Sequence, residues 1–251
     1  MLMALDHIIQ QIRSFLPEDG VGRNLLHHIK SEFHRAPGSK ALYICLPSWG
    51  GKLRYFRHIR KYALQSGHSL LTYAFPSGIL SSNIPFTRKC FDIIRRKVCA
   101  DLRALQKRHG FTSLCLIGFS LGTAHACMIS SKIHIDKLIL IVPGHSLADP
   151  VWEGIGTRDI RRALESRGVS LDTLRKQWLL LAPEHNIRNL KRTKIDVYLT
   201  PSDKVVPYVY GKRLVSSMRR LGLRPNVKTY RLLGHYGTIL RFCWFPKMLF
   251  R

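Results

Sequence analysis

A strand that runs into a helix through a serine flanked by glycines leaves a chain few architectures, and residues 111–126 have that form. The apolar run from Phe111 to Ile117 leads into Gly118-Phe119-Ser120-Leu121-Gly122, and the small-residue segment Thr123-Ala124-His125-Ala126 follows. The turn between strand and helix must be sharp. A serine at its apex sits in strained backbone, and a side chain two positions to either side would collide with the adjoining strand or helix, which accounts for the two glycines. The pattern therefore predicts an exposed nucleophile at Ser120.

From Ala41 onward, strand patterns alternate with helical ones. The expected strands are 41–46, 69–75, 111–117, 135–142, 195–199 and 226–232. Between the second and third, Phe91, Ile94, Val98, Leu102 and Leu105 trace an apolar helical stripe, and Arg88, Arg95, Lys97, Arg103 and Lys107 occupy the opposite side. Such alternation implies an α/β fold, a mostly parallel central sheet of about six strands flanked by helices. No internal repeat, low-complexity tract or flexible linker interrupts it.

The rhythm breaks from 145 to 193. Thr157 can cap a helix ending near Gly168, and Ser170 can cap another in which Leu171, Leu174, Trp178 and Leu181 share a face before Pro183 stops it. The expected organisation is thus an N-terminal helical segment over 1–40, an α/β core over 41–144 and 194–251, and a helical cap insertion over 145–193. Apolar positions 2, 5, 8, 9, 12, 15 and 16 lie on one helix face, which is expected to pack on the core rather than on a membrane. The same segment lacks the basic region and unbroken apolar core of a signal peptide.

Two further residues fall just beyond the carboxyl ends of expected strands, where open α/β sheets build their sites. Asp203 follows Ile195-Asp196-Val197-Tyr198-Leu199 within Thr200-Pro201-Ser202-Asp203, and His235 follows Val227–Leu232 within Leu233-Gly234-His235. Serine, aspartate and histidine in this order suit nucleophilic catalysis, because a serine hydroxyl is a poor nucleophile until a base takes its proton. Each has a plainer rival reading: Ser120 as a helix N-cap, His235 as a turn histidine, and Asp203 as a turn residue with Asp149 serving as the acid. His125 reads as a packed or solvated helix residue, and His145 either lines a pocket or has an ordinary loop role.

With these residues in place, the chain from roughly Ala41 to its end resembles the α/β-hydrolase family. The resemblance equates Gly118-Phe119-Ser120-Leu121-Gly122 with the family's nucleophile elbow, Asp203 with its loop acid and His235 with its histidine. The family's oxyanion loop, often His-Gly-x-Gly-Gly after the first core strand, corresponds to Pro47-Ser48-Trp49-Gly50-Gly51, where the leading His-Gly pair is replaced. By that correspondence the backbone N–H groups of Trp49 and Leu121 form the oxyanion hole, and the first two family strands are missing. The 145–193 insertion falls where the family often carries a cap. The substrate pocket is then expected to include Ser48, Gly50, His145, Trp152 and Trp178.

The resemblance implies a serine-dependent hydrolase of small carboxylic esters working through an acyl-enzyme on Ser120. Thioesterase, lipase, amidase, peptidase and acyltransferase activities use the same three residues, and the rival of another class is a catalytically silent, basic binding protein. The formal net charge of +26 favours anionic partners, a membrane surface or nucleic acid, yet the basic residues are spread along the chain and accompany no nucleic-acid motif. Six cysteines, none in a C-x-x-C pair, suit a reduced cytoplasmic protein, with a peripheral membrane contact as an added expectation. The twelve histidines are scattered, so neither a metal nor a cofactor is expected. No apolar run approaches the roughly 20 residues needed to span a bilayer.

Overall fold

The computed structural model describes residues 25–188 and 190–250. Its strands are β1 (Lys30–His34), β2 (Ala41–Leu46), β3 (Ser69–Ala74), β4 (Ser113–Phe119), β5 (Lys137–Ile141), β6 (Lys194–Leu199) and β7 (Asn226–Thr229). They form one sheet in the order β1-β3-β2-β4-β5-β6-β7. Every pairing is parallel except that of β1 with β3.

The central strands are buried on both faces, and their sequences are accordingly near-continuous apolar runs. Alternation along β2 divides the core. Leu42, Ile44 and Leu46 pack on one side with the buried stripe of helix α3 (Ile84–His109), whereas Tyr43 and Cys45 pack on the other with Ile59 and Phe242. Helix α3 starts on Asn83, whose Oδ1 accepts the Phe86 N–H at 3.1 Å, and it stops at Gly110 in left-handed backbone with φ 65°. Ile59 lies on α2 (Arg57–Gln65); a four-residue turn of helix, α1 (Leu25–His28), precedes β1. All six cysteines are free and buried.

Two expectations are corrected. The mostly parallel sheet of about six strands stands, but the helical reading of the first 40 residues does not hold at 30–34, which form an antiparallel edge strand and bring the sheet of the described residues to seven. Lys30-Ser31-Glu32-Phe33-His34 carries one large apolar residue and buries neither face fully, so it leaves no apolar alternation to read. Its strand conformation comes from the open edge of β3, and its charged residues keep that edge from pairing further. The helical stripe expected at 2–16 lies outside the described residues.

The second correction concerns 145–193, whose described residues add two short helices, α5 (Ala148–Glu153) and α8 (Pro183–Asn186), to the two expected ones, α6 (Arg158–Glu165) and α7 (Leu171–Gln177), the latter ending before Trp178. Ser170 caps α7 as expected, its Oγ accepting the Thr173 N–H at 3.2 Å. Thr157 does not cap α6; its hydroxyl donates instead to the carbonyl oxygens of Gly154 at 3.1 Å and Pro150 at 3.3 Å.

Candidate active site

Parallel register sets the site. Leu46 pairs with Gly118 and Phe119 with Ile141, so β2, β4 and β5 end side by side and their following loops meet over one edge of the sheet. Ser120 stands between β4 and helix α4 (Leu121–Ser130) at φ 50° and ψ −115°, a region that non-glycine residues rarely adopt. Its N–H donates to the Ile141 carbonyl at 2.9 Å, and its own carbonyl accepts the Thr123 N–H at 2.8 Å and the Thr123 hydroxyl at 2.6 Å. Thr123 thus clamps the strained turn.

The flanking glycines are steric requirements. A Cβ on Gly118 would lie 2.6 Å from the Gly122 carbonyl oxygen, and one on Gly122 would lie 2.6 Å from the Pro47 carbonyl oxygen. The second contact lets α4 press against the 46–47 backbone, which brings the 47–51 turn close to Ser120.

His235 is the second residue of α10 (Gly234–Trp244), and Asp203 lies in the turn after β6. Asp203 Oδ1 accepts the N–H groups of Val205 at 2.9 Å and Val206 at 2.8 Å, which aims Oδ2 at His235 Nδ1, 2.7 Å away. On the far side of the ring, His235 Nε2 lies 3.0 Å from Ser120 Oγ. The ring and the carboxylate are both buried, with side chains 3% exposed. Ser202 ties the two loops, its Oγ accepting the Gly234 N–H at 3.1 Å and its hydroxyl donating to the Arg231 carbonyl at 3.3 Å.

Asp149, the alternative acid, has other partners. Fully buried, it accepts the Arg175 guanidinium, with Nε at 3.1 Å, and the Ser146 hydroxyl, and His145 Nε2 lies 3.6 Å away. Burial raises its pKa, but hydrogen bonds from Arg175 and Ser146 outweigh that and hold it below the ordinary carboxylate value. His145 belongs to this cluster and stacks on Tyr210 at 5.3 Å. His125 lies between Phe91 and Phe75, with ring centroids at 4.2 and 5.1 Å, and burial lowers its pKa to about 3.

A cavity of 790 Å³ opens over Ser120 and His235. Ser48, Trp49 and Gly50 form one wall; the Trp49 indole Nε1 donates to the Ser77 carbonyl at 2.6 Å. Leu80, Ala124, Leu147, Pro150 and Val151 form an apolar wall, the last three from α5 and its approach. Three expected pocket residues do not line it. His145 is held by Asp149 and Tyr210, whereas Trp178, 1% exposed, is a core residue on the buried side of the insertion. Trp152 packs at the edge of that cluster, with the Arg161 guanidinium 5.4 Å from its ring. An apolar stripe has the same sequence pattern whether it faces a ligand or the core.

Sequence reasoning missed Thr123, Ser202 and Arg175. The first two hold loops in place, and no motif announces them; Arg175 could have been suspected only from the burial of its partner. Among the described residues, no three His, Cys, Asp or Glu side chains are grouped to hold a metal ion, and no helix is long and apolar enough to cross a membrane.

No family model matches the sequence, and no curated protein does either. Solved structures do resemble the fold. An acetyl xylan esterase from Paenibacillus sp. R4 matches with a TM-score of 0.65 at 12% identity, over 88% of this chain and 78% of that one. A thermophilic esterase from Thermogutta terrifontis, with butyrate bound, matches with a TM-score of 0.59 at 15% identity, over 88% of this chain and 86% of the other. An α/β hydrolase from the metagenome of sediments of the Mar Chica lagoon, Morocco, matches with a TM-score of 0.52 at 15% identity, over 88% and 92%. The chain adopts the α/β-hydrolase fold.

Proposed function

We propose that this protein is a serine-dependent hydrolase of carboxylic esters. The observation that carries the reading is the continuous path from Asp203 Oδ2 through His235 to Ser120 Oγ, with contacts of 2.7 and 3.0 Å. In the proposed reaction His235 Nε2 takes the Ser120 proton as Oγ attacks the ester carbonyl carbon, and Asp203 holds the imidazole with its other proton on Nδ1. The tetrahedral intermediate collapses to an acyl-enzyme, and the leaving alcohol departs with the proton from Nε2. Water then attacks the acyl-enzyme, giving up its proton to His235, and the acid is released as Ser120 regains its hydroxyl proton.

The Leu121 N–H sits at the first position of α4, where no intrahelical carbonyl is within reach, so it suits the charge that develops on the carbonyl oxygen. The 47–51 turn across the cavity, through the Trp49 amide, supplies the second donor in this scheme. Leu80, Leu147 and Val151 suit an apolar acyl group.

A fluorophosphonate probe tests the reading directly. It is expected to label the native protein at Ser120 and to leave Ser120→Ala unlabelled with an unchanged thermal midpoint. Labelling of the variant at another serine would remove Ser120 from the mechanism.

A further inference from the structure

The cavity over Ser120 is chemically lopsided. Its apolar wall is formed by Leu80, α4 and the 147–151 segment, whereas Lys52 and Arg54 lie on the segment that follows the 47–51 turn. No Asp or Glu of the described residues lines the cavity. Behind Arg54 a second cavity, of 260 Å³, opens between that segment, α2 and β1. Leu53 and Arg54 belong to both linings, so the two spaces share a wall.

The smaller cavity is lined by three arginines, Arg54, Arg57 and Arg60, against one carboxylate residue, Glu32, with Thr72 beside them. Arg60 Nη1 pairs with Glu32 at 3.5 Å. Arg54, whose guanidinium lies 5.6 Å from the Tyr55 ring, and Arg57 have no carboxylate within ion-pair distance among the described residues. Three cationic residues around one concave space, with a single carboxylate among them, make a positive local field that favours a bound anion. Guanidinium forks match the oxygens of a phosphate, and a dianion answers the two arginines that Glu32 leaves uncompensated.

We propose that the alcohol portion of the substrate carries a phosphomonoester, which seats among Arg54, Arg57 and Arg60 while the acyl group occupies the apolar wall. The proposal rests on the ester-hydrolase reading and extends it to a substrate class. The reaction splits only the carboxylic ester bond, and the phosphate leaves on the alcohol unchanged. Such a group belongs either to a free phosphorylated small molecule or to a lipid headgroup.

The test compares matched substrates on the full chain. Soluble 1-hexanoylglycerol and 1-hexanoylglycerol 3-phosphate form one arm; 1-oleoylglycerol and 1-oleoylglycerol 3-phosphate in phosphatidylcholine vesicles form the other. In at least one arm, the phosphorylated ester is expected to have the higher kcat/KM, by about tenfold at low salt, with the preference shrinking as salt rises to about 0.15 M. Arg57→Ala and Arg54→Gln should collapse that preference toward one, while Arg219→Ala, on the exposed surface of helix α9 (Tyr208–Arg220) beside β6, should leave it in place. Preference in the soluble arm identifies a free phosphorylated alcohol, and preference confined to vesicles identifies a lipid headgroup. A ratio near one in both arms, or a preference unmoved by the two arginine variants, overturns the proposal. Hydrolysis of the neutral ester and probe labelling of Ser120 are read in the same samples. If both persist without a phosphate preference, only the phosphate site fails; if neither occurs, the ester-hydrolase reading fails with it.

Discussion

Replacing Asp203 by asparagine isolates one function of one side chain. Asp203 makes three contacts: Oδ1 accepts two backbone N–H groups, at 2.9 and 2.8 Å, and Oδ2 faces His235 Nδ1 at 2.7 Å. Asparagine keeps the first two by placing its amide oxygen where Oδ1 stands. The flipped amide would set an NH₂ against two N–H donors and leave both unsatisfied, at a cost of about 1–3 kcal/mol each. The amide NH₂ therefore meets His235 Nδ1, which must now accept a hydrogen bond rather than donate one. The imidazole proton moves to Nε2, the nitrogen 3.0 Å from Ser120 Oγ, and the ring can no longer take the serine proton. The loss should be about 10⁴-fold in kcat, or about 5 kcal/mol of barrier. Stability should change little, because the contacts that hold the 203–206 turn survive. Steady-state hydrolysis of a soluble ester and a thermal melt on the same sample check both halves. Activity within tenfold of the native protein would refute the tautomer argument; a collapsed melting point would refute the claim that the Oδ1 contacts persist.

Trp178→Ala is expected to cost about 3–5 kcal/mol of stability with an unchanged acyl-length profile, because the side chain is 1% exposed in the apolar core of the insertion. Val151→Phe, which narrows the apolar wall, should instead shift preference toward shorter esters; an altered profile for Trp178→Ala alone would reverse these assignments. His125 supplies a pH-dependent prediction. Its pKa is lowered by burial from 6.5 to about 3, so between these values the unfolded chain binds the extra proton and the folded one does not. Stability is therefore complete above pH 6.5 and falls as pH drops toward 3, by about 1.4 kcal/mol per unit from this group, and His125→Leu should remove that part of the slope in urea titrations at pH 7.5 and 5. An unchanged slope in the variant would place the dependence elsewhere.

The sheet and the edge that carries the candidate site were legible because their signals are local. Leu42–Leu46, Leu114–Ile117 and Leu138–Ile141 are apolar on both faces, and only a doubly covered strand uses such runs. Gly118 and Gly122 announce the turn through a steric requirement that belongs to a few consecutive residues and the strand and loop beside them. Asp203 and His235 could be read because each follows its own strand, and a parallel sheet delivers all such ends to one edge.

What the chain's order could not contain was decided by contacts between segments far apart in sequence. The strand at 30–34 exists because β3 leaves an edge open, and its own residues show no strand pattern. Trp178 shares an apolar stripe with Leu174 and Leu181, and only the packing of the insertion decides that this stripe faces the core rather than the cavity. That Asp203 faces His235 while Asp149 is engaged elsewhere is likewise a matter of tertiary structure: both follow strands, but Arg175 comes from 26 residues away to engage Asp149, and the 205–206 amides turn Asp203 toward His235. Local sequence determines which residues are able to act at a sheet edge; long-range packing determines their partners, because a side chain's hydrogen bonds depend on what the rest of the fold brings beside it.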